Sequence, residues 1–149
     1  DTYVELYKGG ILPLEEFVKM KRDKDILVRV IVKKTGGRFA YLTHRNTKTD
    51  FPVLAVGIGD TVGKLVVTVG ARPMEAMRVP VKSEWKTVLD GGTCTAAEIE
   101  AIANKMASQV PTESNMRGSA EYRSHLAKVL IKRGLERIRE EKGLKEYAD

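Results

Sequence analysis

Residues 53–71 read VLAVGIGDTVGKLVVTVGA, and the choice between two fold classes turns on them. Gly57, Gly59 and Gly63 are similar to the glycine fingerprint of a dinucleotide-binding turn. That fingerprint needs a helix straight after its last glycine, because the helix N-terminus faces the pyrophosphate. Here Gly63 is followed by Leu65-Val66-Val67-Thr68-Val69, a β-branched run suited to a strand. The glycine spacing is also one residue too long. The stretch therefore reads as a hairpin, with strands over 53–58 and 64–71 joined by a turn over 59–63.

Outward from the hairpin, the N-terminal side continues in strands. Residues 26–34, ILVRVIVKK, are β-branched with a polar break at Arg29. Gly36-Gly37 marks a turn, 38–43 alternates weakly as a further strand, and 45–50, RNTKTD, is a polar turn. Residues 11–24 suit a short turn or helix. On the C-terminal side the period changes. A short helix over 81–89 ends at Gly91-Gly92. Thr95-Ala96-Ala97-Glu98 has the form of a capping box, and Ile99, Ile102, Ala103, Met106 and Val110 follow at helical spacing up to Pro111. A polar linker over 112–117 leads to a long helix over 118–142. Its stripe is Leu126/Ala127, Leu130/Ile131, Leu135 and Ile138, with Gly143 as its stop. Strands first and helices last predict an α+β fold. The expectation is an antiparallel sheet of three to four strands within 25–71, packed against a C-terminal helical layer as an α/β sandwich.

A chain of 149 residues suits one domain and buries roughly 70% of its unfolded surface without staples. Cys94 is the only cysteine, which rules out an intrachain disulfide and multi-cysteine zinc sites. No apolar run approaches the roughly 18 residues of a membrane helix. The opening DTYVELYKGG is not a signal peptide, so a cytoplasmic protein with no membrane partner is expected. The chain starts at Asp1 and not at methionine, which suggests processing or excision from something longer. Its net charge is +6. The basic residues are interleaved with acids, as in Lys132-Arg133, Glu136-Arg137 and Arg139-Glu140, which is the pattern of a solvated helix face. No nucleic-acid partner is expected on that ground. A basic nucleic-acid-binding module and a free-standing dimerisation domain stand as the alternatives.

Chemistry-bearing residues are sparse. Cys94 lies near a helix start but far in sequence from both histidines, His44 and His125, and reads as a reduced structural thiol. His125 sits at a polar-apolar helix boundary and reads as structural. Glu15-Glu16 and Glu140-Glu141 are adjacent, so their carboxylates point apart. The densest polar cluster between strands is His44–Asp50, a surface loop. No catalytic residue and no metal site emerges from composition, periodicity or spacing.

The tail carries a resemblance. Asn115-Met116-Arg117-Gly118-Ser119-Ala120-Glu121-Tyr122-Arg123, continued through Leu126, Leu130 and Arg133, resembles the closing helix of the FAD-binding subunit of molybdenum hydroxylases. That family includes xanthine dehydrogenase, carbon monoxide dehydrogenase and nicotinate dehydrogenase. Its pattern is D-x-R-G-S-A-x-Y-R-x-x-L-x-x-x-L-x-x-R-A, so Asn115 stands for Asp and Gly134 for Ala. Gly70-Ala71-Arg72-Pro73-Met74-Glu75-Ala76 is similar to the family's G-A-R-P-M-R-A segment. Residues 25–30 take the place of the strand that opens the family's C-terminal domain. Arg45 and Asp50 are similar to its K-x-x-R…D-x-A loop, with Leu42 at the lysine and Pro52 at the alanine.

The resemblance implies a non-catalytic C-terminal domain over 25–149, with 1–24 a connecting segment from a missing FAD-binding domain. It implies FAD in the intact subunit, held by that N-terminal domain, with Arg45 and Asp50 near the flavin and no tightly bound FAD on this chain alone. The implied partners are the N-terminal domain and the iron–sulfur and molybdenum-cofactor subunits. The Arg117-Gly118-Ser119 turn is expected to be tightly tied, with Tyr122 and Arg123 packed back on the domain.

Overall fold

The computed structural model describes residues 2–21, 24–34, 36–61, 63–91 and 94–146. The chain divides into two compact units, Asp1–Gly36 and Gly37–Asp149.

The first unit is a three-stranded antiparallel sheet in the order β2-β1-β3, made of β1 (Thr2–Leu6), β2 (Gly10–Pro13) and β3 (Leu27–Val32). A single helical turn, α1 (Leu14–Phe17), follows β2. Val4 and Leu6 of β1 are the buried apolar residues among those described in this unit. The Asp25 carboxylate organises the turn between β1 and β2, accepting from the backbone N–H of Lys8 at 3.0 Å and of Gly9 at 2.8 Å. It also accepts from Ile26 N–H at 2.8 Å. Desolvation pulls the Asp25 pKa up, but the backbone donors and the nearby Lys8 outweigh it, and the net shift is downward. Glu5 and Arg29 lie opposite each other in register and form an ion pair.

The second unit holds a four-stranded antiparallel sheet, β4 (Arg38–His44), β5 (Leu54–Thr61), β6 (Lys64–Gly70) and β7 (Met77–Val79), in the order β4-β5-β6-β7. Three helices follow: α2 (Ser83–Asp90), α3 (Ala96–Ala107) and α4 (Ala120–Glu146). The 53–71 stretch is the hairpin expected, in continuous register from Ala55↔Gly70 to Thr61↔Lys64, with β5 reaching Thr61 where the sequence reads a turn over 59–63. Val62 in its turn lies outside the described residues, as do Gly92 and Thr93 after α2. Strand β5 buries every second residue, Leu54, Val56, Ile58 and Asp60. With Val67 and Val69 of β6, its apolar members meet Ile99, Ile102 and Met106 of α3 and Ile131 and Leu135 of α4 in one core. The architecture is α+β, an antiparallel sheet backed by a helical layer.

Several details differ from the sequence expectation: β1 and β2 are strands it does not contain, and β2 runs into the stretch 11–24 read as a short turn or helix. Strand β3 pairs with β1 in the first unit and is not in the sheet of β4–β6. That sheet gains its fourth strand from β7, three residues too short to show alternation. Helix α4 also runs through Gly143 to Glu146. Glycine ends a helix where it turns left-handed, and the described positive-φ glycines are Gly10, Gly37 and Gly63. The capping box at α3 is formed in both directions: Thr95 accepts from Glu98 N–H, and Glu98 accepts from Thr95 N–H at 2.8 Å. Among the described residues no helix is long and apolar enough to cross a membrane, and no group of His, Cys, Asp and Glu could hold a metal ion.

Candidate functional site

At one end of the four-stranded sheet the loop from β4 to β5 meets the turn that opens α4. Arg123 is their common base. It lies one helical turn ahead of Leu126/Ala127 on the buried stripe and is 1% exposed. Its guanidinium donates to four oxygens: Val53 O at 3.0 Å, Glu113 O at 2.8 Å, Asn115 Oδ1 at 2.6 Å, and Gly118 O. Burial, and then the charge on Arg117, lower its pKa. A guanidinium still stays charged. One buried cation thus ties the end of the β4–β5 loop, the 113–115 linker and the 118 turn to α4.

Asn115 and Gly118 exchange backbone hydrogen bonds at 3.0 and 3.1 Å, and Asn115 Oδ1 also accepts from Arg117 N–H at 2.9 Å. Ser119 Oγ accepts from Tyr122 N–H at 3.1 Å, and Ser114 Oγ accepts from Ala120 N–H at 2.9 Å, so the helix start is capped by its own serines. Tyr122 packs edge-on to His44 and its hydroxyl lies 2.9 Å from His44 Nε2. The tight turn and the packed-back Tyr122 and Arg123 are as expected.

A second buried arginine holds the other end of the same linker. Arg72, 8% exposed, follows Ala71 in a left-handed conformation (φ 58°). It donates to Glu75 O at 2.8 Å and to Pro111 O at 3.0 Å, while its own carbonyl accepts from Glu113 N–H at 3.3 Å. The two motifs that carry the family resemblance therefore converge on residues 111–115, gripped between Arg72 and Arg123. Their arginines are satisfied chiefly by carbonyl oxygens, which fix backbone path and leave no reactive group.

Above this base sit exposed and half-buried residues of the loop and the turn. Arg45 Nη1 donates to the Asp50 carbonyl at 2.8 Å and does not engage the Asp50 carboxylate. That carboxylate accepts from Phe51 N–H at 2.7 Å and lies 3.6 Å from Arg117 Nε. Asn46 Nδ2 donates to Arg117 O at 3.3 Å, and the Arg117 guanidinium stands 5.4 Å from the centre of the Phe51 ring. Phe51 is 73% exposed and Met116 is 94% exposed. The structure therefore brings Arg45 and Asp50 into one loop and gives them different roles. Asp50 offsets Arg117. Among the described residues no carboxylate pairs with Arg45. The sequence did not single out Phe51 and Arg117 as site residues; the signal for Arg117 lay inside the N-x-R-G-S motif itself.

The fit to a dinucleotide is one-sided. A pyrophosphate needs free backbone N–H groups at a helix start. The starts of α3 and α4 are occupied by Thr95, Glu98, Ser114 and Ser119, so they do not fit it. The exposed Arg45 and Phe51 and the half-buried Arg117 fit the edge of a planar ring that gains negative charge on reduction.

A helix-backed four-stranded antiparallel sheet, with its inter-helix linker clamped by two buried arginines, defines the class. Residues 39–138 match the CO dehydrogenase flavoprotein C-terminal domain, and the chain belongs to that family. Among solved structures, the fold is similar to carbon monoxide dehydrogenase from Hydrogenophaga pseudoflava lacking the Mo-pyranopterin moiety of the molybdenum cofactor, with TM-score 0.72 at 16% identity. It is also similar to quinoline 2-oxidoreductase from Pseudomonas putida 86, with TM-score 0.68 at 15% identity. In both, the similarity covers 93% of this chain and 52% of the other, so the chain spans about half their length. No curated protein matches the chain.

Proposed function

We propose that this domain is the C-terminal part of the FAD-binding subunit of a molybdenum hydroxylase, of the carbon monoxide dehydrogenase or xanthine dehydrogenase kind. In that reading FAD is held by an N-terminal domain, to which residues 1–24 connect, and the chain alone does not bind FAD tightly. The His44–Asp50 loop, with Phe51 and Arg117, covers the edge of the flavin ring. The domain also helps dock the iron–sulfur and molybdenum-cofactor subunits, so that electrons pass to the flavin in a cytoplasmic enzyme. It supplies no catalytic residue. When bound, the flavin supplies the redox chemistry, and this chain positions and excludes water.

The observation that carries the reading is the position of Arg45, an exposed cation with no carboxylate partner among the described residues, on a loop anchored by the buried Arg123. A cation beside the ring stabilises the negative charge that develops on reduction. Asp50, already offset by Arg117 at 3.6 Å, contributes little field of its own.

The test is the midpoint potential of the flavin in the intact subunit. Arg45→Ala lowers it by about 30 mV or more, equivalent to about a tenfold shift of a two-electron equilibrium. Lys64→Ala, at the opposite end of the sheet, leaves it unchanged. Equal potentials in wild type and Arg45→Ala would remove the role assigned to the loop.

A further inference from the structure

Helix α2 is poorly equipped to stand as a helix by itself. It has eight residues, Lys82 at its N-cap with no side-chain capping bond, and the β-branched Thr87 and Val88 in its second half. Two adjacent side chains fasten it. Trp85 is 5% exposed in the core. Lys86 Nζ donates at 2.6 Å to Asp60 Oδ1, the charged residue on the buried face of β5, and lies 3.0 Å from Asp90 Oδ2 one turn on. Asp60 is 7% exposed and also pairs with Arg38 of β4, whose Nη1 donates to Ile138 O of α4 at 3.1 Å. One buried carboxylate thus joins β4 and α4 on one side to α2 on the other. The charged side chains of this cluster line a cavity of about 10 Å³ together with Leu65, Leu89, Leu135, Ile138 and Arg139.

The two cations on Asp60 are not equivalent. Arg38 belongs to the sheet and keeps Asp60 paired whether or not α2 is in place. Lys86 is the sole link from Asp60 to α2 among the described ion pairs. Arg38 also reaches α2 at Asp90, 3.9 Å away, so losing the lysine leaves the buried carboxylate compensated while the helix keeps only that longer contact and Trp85. Losing the Asp60 carboxylate instead leaves Arg38 and Lys86 with Asp90 as their remaining carboxylate, at 3.9 and 3.0 Å, and so reaches β4 as well as α2.

We propose that α2 is a strap latched by Lys86 on Asp60, which opens as a unit while the sheet, α3 and α4 stay folded, and so uncovers the cavity at Leu65, Leu135 and Ile138. Such sub-global opening is common where an element has few buried contacts of its own. Lys86 is the positioning residue and Trp85 the plug.

Native-state amide hydrogen exchange on the full chain tests this, with Lys86→Met and Lys86→Arg compared with wild type. Exchange at 87–91 should speed at least tenfold in Lys86→Met, with α3, α4 and β5 amides unchanged, and Lys86→Arg should retain most of the protection. The exposed pair Lys82–Glu84 serves as control, and Glu84→Gln should change nothing. Unchanged α2 exchange in Lys86→Met would overturn the latch. A rise of equal factor in α2, α4 and β5 would overturn the strap, because it would show that α2 opens only with the whole domain.

Discussion

Arg123 and Asp60 are charged side chains at positions where their elements turn inward, and each is held there by oriented partners. For Arg123 the partners are three carbonyls and the Asn115 amide oxygen, where the family pattern has an aspartate. Removing the guanidinium takes the donor from Val53 O and Glu113 O, while Gly118 O and Asn115 Oδ1 keep the N–H groups of Asn115 and Arg117, and an oxygen left unpaired costs about 1–3 kcal/mol when water cannot reach it. Arg123→Met is therefore expected to destabilise the domain by about 2–4 kcal/mol in denaturant unfolding. Arg45→Met, exposed beside it, should fall within about 0.5 kcal/mol of wild type. Similar effects for the two arginines would mean that Arg123 is not the anchor of the loop. Its burial was legible in principle. Residues 123, 126/127, 130/131, 134/135 and 138 share one helical stripe, and a charge on that stripe belongs inside. The same holds for Asp60, on the period-two face of Leu54, Val56 and Ile58. The motif already packs Arg123 back on the domain, whereas Asp60 falls in the stretch 59–63 that reads as a turn, where a charge argues for the surface.

Elements show the same interplay of local rule and packing. Gly134 should cost about 1 kcal/mol in a helix interior relative to alanine. A Cβ there would stand 2.6 Å from Ile58 Cδ1 and 3.2 Å from Leu42 Cδ1, so the glycine lets α4 lie close on the sheet. Gly134→Ala should therefore fail to gain its about 1 kcal/mol in wild type, and should fare better by a similar amount when Ile58→Val has removed the obstructing methyl. Identical effects in the two backgrounds would show that Ile58 is not the obstacle.

The α3 cap makes a pH prediction. Hydrogen bonds from the Thr95 N–H and hydroxyl lower the Glu98 pKa below its unfolded value. Its stabilisation is present above the unfolded value, about 4.3, and is lost as pH falls through the lower folded value. The Tm advantage of wild type over Glu98→Gln should thus hold at pH 6 and shrink below about pH 4. An advantage that persists at pH 2.5 would contradict the ionised cap. This cap was readable residue by residue because it is local. Strand β3 was assigned to the wrong sheet because its partner, β1, is not a neighbour in sequence. Strand β7 was missed because three residues carry no period.

On the scale of the molecule, the motif residues that carry the resemblance are structural. They clamp the linker over 111–115 and leave Arg45, Phe51, Met116 and Arg117 to meet whatever lies beyond. The charged cluster at Arg38, Asp60 and Lys86 occupies the opposite end of the same sheet, so the two ends give the domain a direction. If the β4–β5 loop faces the flavin, cofactor binding should protect one end and leave the other alone. The most direct measurement is hydrogen exchange of the intact FAD-binding subunit with and without FAD. The account predicts added protection at residues 45–51 and 115–118, and no change at 38–40, 58–60 and 83–90. Protection confined to the Arg38–Lys86 end, or none at 45–51 and 115–118, would contradict it.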